Sequence, residues 1–447
     1  MRRLLLILTV VYTTLLITRP HEFVPALAES PLLFVCILAA FGVWLFTPDK
    51  GTELPQFRAL PFFLVFVWLS LGAAGWWGGI VDALQRMVPA ILLFVVISGC
   101  VRSLGELRAY SFVIIACACV LVLHGHLQVT TGEGWTGEPL IDGRITYSGI
   151  FNDPNDIGLL LVVALALSIF MARFATGRLL QLLTLAAMGW LIYGVYLTDS
   201  RGTLLAVLVV LGLEAWRAYG KTVVMVIGAV AVPVLIAFTR LAALSADEES
   251  AENRVEAWYD GVQYLISRPL FGVGWGMFSD ENAGLTAHNS LVLAMAELGM
   301  PGYVFWLAFV MLSGVMIYRL GYPPATPAVA AVAQAAMPAS AAMSQRRRRA
   351  PAPVVVKTAP TAEQTERFAA RYVGFAAAGF AVGAFFLSQS YKAMLFIVCG
   401  LIVGRYLGMR EAGIALPEFK LGERLPAVVA ASVASVAGMW VLVRILL

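Results

Sequence analysis

Thirteen apolar runs, each near the ~20 residues a helix needs to cross a ~30 Å hydrocarbon core, follow one another through these 447 residues and leave few folds open. They lie near 4–18, 31–47, 59–77, 84–101, 108–127, 154–172, 179–198, 203–216, 222–239, 303–318, 372–388, 393–407 and 425–443. In lipid every backbone N–H and C=O must be bonded within its own segment, so the runs are expected as helices. A content of 60% apolar and 13% charged residues departs from soluble globules in the same direction. The expected fold class is all-α: residues 1–447 form a single polytopic integral membrane domain of 12 or 13 transmembrane helices. Arg19-Pro20-His21-Glu22 ends the first run without a small-residue cleavage site, so that run is read as a span and not as a removable signal.

Orientation follows from the cations. With Arg2 and Arg3 inside, 22 of the 31 Lys and Arg residues fall in inner segments, among them Arg102, Arg108, Arg173, Arg178, Arg217, Lys221 and Arg346 to Arg349. This asymmetry predicts an inner N-terminus and an outer C-terminus. The net charge of +4 is then membrane anchoring and implies no nucleic-acid partner. Cys36, Cys100, Cys117, Cys119 and Cys399 all lie in apolar runs and read as core thiols. Without CxxC or His/Cys ligand spacing, no metal is expected.

Three segments stand outside the runs. The outer loop 128–153 leads into Phe151-Asn152-Asp153-Pro154-Asn155-Asp156, where either Asn155 or Asp153 caps the next helix with Pro154 in its first turn. The polar residues left over, Asn152 and Asn155 among them, suit sugar hydroxyls. The large outer segment 240–302 contains Val255, Trp258, Tyr259, Val262 and Leu265 at helical spacing, which predicts an amphipathic helix over 253–266 that Arg268-Pro269 stops. Phe271-Gly272-Val273-Gly274-Trp275-Gly276 follows no strand and is no dinucleotide fingerprint; its glycines let backbone approach a ligand or another helix. Residues 288–318 are too long for one perpendicular span. Gly299-Met300-Pro301-Gly302 therefore predicts a break between a short outer helix, 289–299, and the span, with Asn289 or Ser290 as cap and Glu297 near the outer interface. The third segment, 319–371, is Ala/Pro-rich with four consecutive arginines and reads as a flexible basic inner linker touching anionic lipid.

Arg201, in Thr198-Asp199-Ser200-Arg201-Gly202, sits on the side where cations are scarce and demands an anionic partner. Arg254 and His288 lie on the same side. Taken singly, Arg201 reads as an interfacial anchor, Arg254 as a partner of Glu256 or Asp260, and His288 as a helix-end residue. Together, two guanidiniums matched to phosphate oxygens and an imidazole kept neutral by a helix start point to a site that grips a diphosphate and moves a proton.

The Ser200-Arg201-Gly202 turn, Arg254 with Trp258 four residues on, Pro269-Leu270-Phe271-Gly272-Val273-Gly274, His288-Asn289-Ser290 and Glu297-Leu298-Gly299 occur in the order, and on the side of the membrane, that resembles the O-antigen ligase superfamily, most strongly over 145–320. That group holds O-antigen ligases, O-antigen and exopolysaccharide polymerases and pilin oligosaccharyltransferases, and the Phe-Asn-Asp-Pro-Asn-Asp run looks closer to the polymerases. The resemblance implies an inverting, cofactor-free and metal-independent glycosyltransferase in a bacterial inner membrane, with 240–302 as its periplasmic catalytic loop. Its donor would be a glycan on undecaprenyl diphosphate, and its acceptor a glycan, lipid A–core or a protein side chain. Arg201 and Arg254 would hold the diphosphate and His288 would take the acceptor's proton, with Asn152, Asn155, Asp199, Ser200, Asn289 and Glu297 binding substrate. The alternative from another class is a flippase or exporter of lipid-linked sugars. It should carry charges deep within its spans, where few are found.

Overall fold

The computed structural model describes residues 1–28, 30–226, 228–229, 247–323 and 361–447. These residues form a helical bundle whose only β pairing is two isolated bridges in the loop 128–153, Glu133 with Pro139 and Ile141 with Arg144. The helices longer than one turn are α1 (Arg2–Thr18), α2 (Leu32–Leu45), α3 (Pro55–Ala73), α4 (Gly79–Cys100), α5 (Leu104–Thr131), α6 (Pro154–Arg173), α7 (Arg178–Thr198), α8 (Arg201–Tyr219), α9 (Asp247–Ser267), α10 (Ser290–Gly321), α11 (Ala362–Phe385), α12 (Ala393–Glu411) and α13 (Leu421–Leu446). Ten of them are long and apolar enough to cross a membrane. Of the run expected at 222–239, residues 222–226 and 228–229 are helical. The rest of that run, residues 240–246, and residues 324–360 of the basic linker lie outside the described residues.

Helix α6 is the axis of the bundle. Its most apolar stretch is 94% buried, against 22% for α7, α8 and α13 at the rim. It packs against α5, α7, α8 and α11. Close approach depends on glycine: a Cβ on Gly379 of α11 would come within 2.6 Å of Val162 and 2.7 Å of Val210, and one on Gly383 within 2.5 Å of Leu159.

One end of the bundle is tied by charge. Arg102, 1% exposed, donates to Glu411 at 2.5 Å and to the Asp49 carbonyl at 2.7 Å. Arg2 joins Glu411 at 2.8 Å, and Arg410 reaches Asp49 at 2.6 Å and Glu53 at 2.5 Å. Fully buried Arg405 pairs with Glu366 and the Arg102 carbonyl. At the other end the Tyr147 hydroxyl donates to the Thr18 carbonyl at 2.5 Å, and Arg444 stacks over Tyr259 and Trp440. The N-terminus and the end of α13 thus lie at opposite ends, as successive antiparallel spans require.

The break expected at 299–302 is present, and it divides α10 into two helical stretches. Gly299 has φ 66° and ψ −179°, and helix continues on both sides. Pro301 has no N–H for the Glu297 carbonyl, and Met300 turns its N–H to the Pro269 carbonyl at 2.7 Å. The two freed carbonyls are taken by the glycine turn: Val273 N–H donates to Ala296 at 2.9 Å and Gly274 N–H to Glu297 at 3.1 Å. The approach is so close that a Cβ on Gly272 would lie 2.3 Å from the Ala296 oxygen. These glycines serve contact with another helix. The expected amphipathic helix is α9, which buries Ala257, Trp258, Val262 and Leu265 against α10 and α13 and ends at Ser267, two residues before Pro269.

Candidate active site at three converging helix starts

At the end opposite Arg102, helices α6, α8 and α10 begin beside one another, and each start is capped by a side chain. Asp153 Oδ1 accepts from Asn155 N–H at 2.7 Å, Ser200 Oγ from Thr203 N–H at 3.2 Å, and Asn289 Oδ1 from the N–H groups of Leu291 and Val292 at 2.9 and 3.1 Å. Each leaves further N–H groups and a positive dipole end at this end of the bundle. Two of the caps follow a residue in the left-handed region, Asp199 at φ 44° and His288 at φ 45°. Non-glycine residues rarely sit there, and such backbone persists where surrounding contacts demand it.

Those contacts are specific. Arg144 Nε donates to the Thr198 carbonyl at 2.8 Å and its Nη2 to Asn155 Oδ1 at 3.0 Å, joining the α7–α8 turn to the first turn of α6. Gly158 brings α6 against Thr203 of α8, where a Cβ would meet Oγ1 at 2.0 Å. The turn between α11 and α12 supplies the third tie. Ser290 Oγ lies 2.7 and 2.6 Å from the carbonyls of Ala384 and Leu387, Gln389 N–H donates to it at 2.9 Å, and Ser390 Oγ donates to the Ser290 carbonyl at 2.7 Å. Thr286 and Ser388 hydroxyls meet at 2.7 Å, and Trp258 of α9 packs edge-on against Phe385.

The residues singled out in the sequence divide by exposure. His288 and Arg254 are half-buried; Arg201, Asp199 and Asn152 are exposed. His288 and Arg254 share one electrostatic neighbourhood: burial first, then the charges of Arg254 and Lys392, lower the His288 pKa, and Asp153 opposes them. Arg201 opens α8, and a Cβ on the adjoining Gly202 would lie 3.4 Å from Phe386 of the α11–α12 turn. Asn155, Ser200 and Asn289 are buried, with side chains engaged in caps or in the Arg144 bridge. Glu297 is 2% exposed and accepts from Phe278 N–H at 3.3 Å, behind the glycine turn and away from open surface.

Sequence reasoning passed over Gln389 and Lys392, and it had Asp156 only among the leftover polar residues suited to sugar hydroxyls. Asp156, 4% exposed, receives hydrogen bonds from Gln389 and, at 2.5 Å, from Lys392. The signal was present: Ser388-Gln389-Ser390-Tyr391-Lys392 is a polar break between two apolar runs, the same pattern as Thr198 to Gly202, and Lys392 is one of few cations on that side.

Positive helix ends and the cations Arg201, Arg254 and Lys392 lie at this end of the bundle, an arrangement that can hold an anion, and the half-buried imidazole of His288, its pKa lowered, can accept a proton. Residues 186–307 match the family model described as O-Antigen ligase. No curated protein matches the chain. The matched segment spans Arg201, Arg254 and His288, and the resemblance to the O-antigen ligase superfamily stands on it.

Proposed function

We propose that this chain, a multi-pass membrane protein carrying an O-antigen ligase segment, is a glycosyltransferase of ligase or polymerase type that builds cell-surface polysaccharide from a lipid-linked glycan. The observation that carries the reading is that His288, beside the capped start of α10, lies in the field of Arg254 from α9, both within the matched segment.

In this reading the donor is a glycan on undecaprenyl diphosphate at the periplasmic face of the inner membrane. Arg201 and Arg254 hold the diphosphate, and His288 accepts the proton of the attacking hydroxyl. The acceptor oxygen bonds to the sugar's anomeric carbon as the bond to the phosphate oxygen breaks. The electron pair leaves with the diphosphate, and fixed cations stabilise the charge that grows there. The phosphoanhydride already activates the sugar, so the chain's own residues suffice for the transfer. The acceptor is a second lipid-linked glycan, in keeping with the Asn152-Asp153-Pro154-Asn155-Asp156 entry to α6. A transporter reading draws less support: the buried charges Asp156, Glu297, Arg102 and Arg405 and half-buried Glu214 stand within about two turns of a helix end.

Two measurements test this. A deletion strain should accumulate short lipid-linked glycan at the outer face; accumulation at the inner face would identify a flippase. In a purified assay, Arg201→Lys keeps the charge, loses the bidentate fork and should lower turnover about 10²-fold, as removal of one transition-state donor does. Wild-type turnover by Arg201→Lys would refute the clamp.

A further inference from the structure

Lys392 has features that neutralisation of a buried carboxylate does not require. Its Nζ lies 2.5 Å from Asp156 Oδ2, yet the two side chains are 43% and 5% exposed. An ammonium carries three donors, and Asp156 is the one acceptor bonded to Nζ among the described residues, so two donors remain for a ligand. The side chain springs from a turn held by Ser290, the residue two after His288, and Gln389 of that turn holds the same Asp156 carboxylate. Its charge reaches His288 together with that of Arg254 from α9 and against that of Asp153 from the start of α6. An exposed cation anchored from beneath, on a turn tied to Ser290 at the start of α10, can act as a preorganised anion contact.

We propose that Lys392 is a third cationic contact for the donor's diphosphate, and that Asp156 and Gln389 are positioning residues that hold its ammonium there. The inference rests on the reading of this site as a lipid-diphosphate site. It lies outside residues 186–307, so the C-terminal helices complete a site that the matched segment begins. A diphosphate gains a negative charge when it leaves the sugar, and an ammonium already in place meets that charge without reorganising.

The test uses purified full-length protein with undecaprenyl diphosphate as the binding probe and the glycan-loaded lipid for turnover. Lys392→Met keeps the aliphatic stem and removes the charge. It should weaken probe binding about tenfold, the loss of one charged hydrogen bond. It should also move the acid limb of the pH–rate profile to higher pH, because a charge that lowers the His288 pKa is gone while Arg254 and Asp153 remain. Lys392→Arg should recover part of both effects. A folded Lys392→Met protein with wild-type probe binding and an unmoved acid limb overturns the proposal and leaves Lys392 as the counter-ion of Asp156. If Lys392→Met does not fold, Lys392→Met combined with Asp156→Asn removes the unpaired buried charge, and the same two readings apply. The parent reading fails separately, through wild-type protein that does not bind the probe.

Discussion

Arg144 holds Asn155 through a hydrogen bond of 3.0 Å from Nη2 to Oδ1, and with its Nε it holds the Thr198 carbonyl three residues before Arg201. A loop residue thereby sets the distance between the starts of α6 and α8. Arg144→Ala should cost about 1.5–3 kcal/mol of stability, the range for hydrogen bonds to a charged group. Turnover should fall further than that loss explains, because the α8 start is no longer held. Thermal unfolding and turnover of the detergent-purified variant measure both. Turnover unchanged at a temperature where the variant is folded would show that Arg144 has no part in positioning Arg201.

His288 combines a left-handed backbone with the proposed base, and two substitutions separate these. Asn tolerates φ near 45° and Ala does not, so His288→Asn should retain more stability than His288→Ala. Both should lose about 10²–10⁴-fold in turnover, the usual general-base contribution. The wild-type rate should fall on the acid side, since an imidazolium cannot accept a proton. Burial and the charges of Arg254 and Lys392 place that fall below the ordinary value of 6.5. His126→Ala should alter packing against Tyr193 and Trp190 and leave turnover near wild type. More than about a tenth of wild-type turnover in His288→Ala would rule His288 out as base.

The glycine turn gives a graded pair. Gly276 has φ 75° with open space at its Cβ position, so Gly276→Ala should cost only the left-handed penalty of about 1–2 kcal/mol. Gly272 has φ 65° and its Cβ would lie 2.3 Å from the Ala296 carbonyl oxygen, which already accepts from Val273. Gly272→Ala must therefore pull the turn off the α10 kink and lower the melting temperature considerably more. Equal melting shifts for the two variants would show that the turn does not close the kink.

Topology is open to labelling. Asp280 is exposed at the end that holds the candidate site, and Glu418 is exposed at the end tied by Arg102. In a background without cysteine, Asp280→Cys should react with an impermeant maleimide on cells whose outer membrane has been permeabilised, and Glu418→Cys should not. The opposite pattern would place the site in the cytoplasm, beyond reach of a donor presented outside.

Residue order alone determined the membrane class, the approximate place of most spans and the amphipathic α9, and it narrowed two caps to Asn155 or Asp153 and to Asn289 or Ser290. These depend on run length, period and local capping chemistry, which act over a few residues. It also marked Arg201, Arg254 and His288, because cations and imidazoles are scarce among the outer segments. Tertiary structure decided what these groups meet. The Asp156–Lys392 pair joins residues 236 apart, and Arg144 reaches Thr198 across 54. No periodicity encodes such distances. The glycines at 272–276 read equally well as ligand contact or helix contact until the kink at Gly299 left two carbonyls that the N–H groups of Val273 and Gly274 take. Glu297, polar in an apolar run, looked like site chemistry; its place behind that turn follows from the direction in which the kinked helix points it, a property of packing that the chain acquires only on folding.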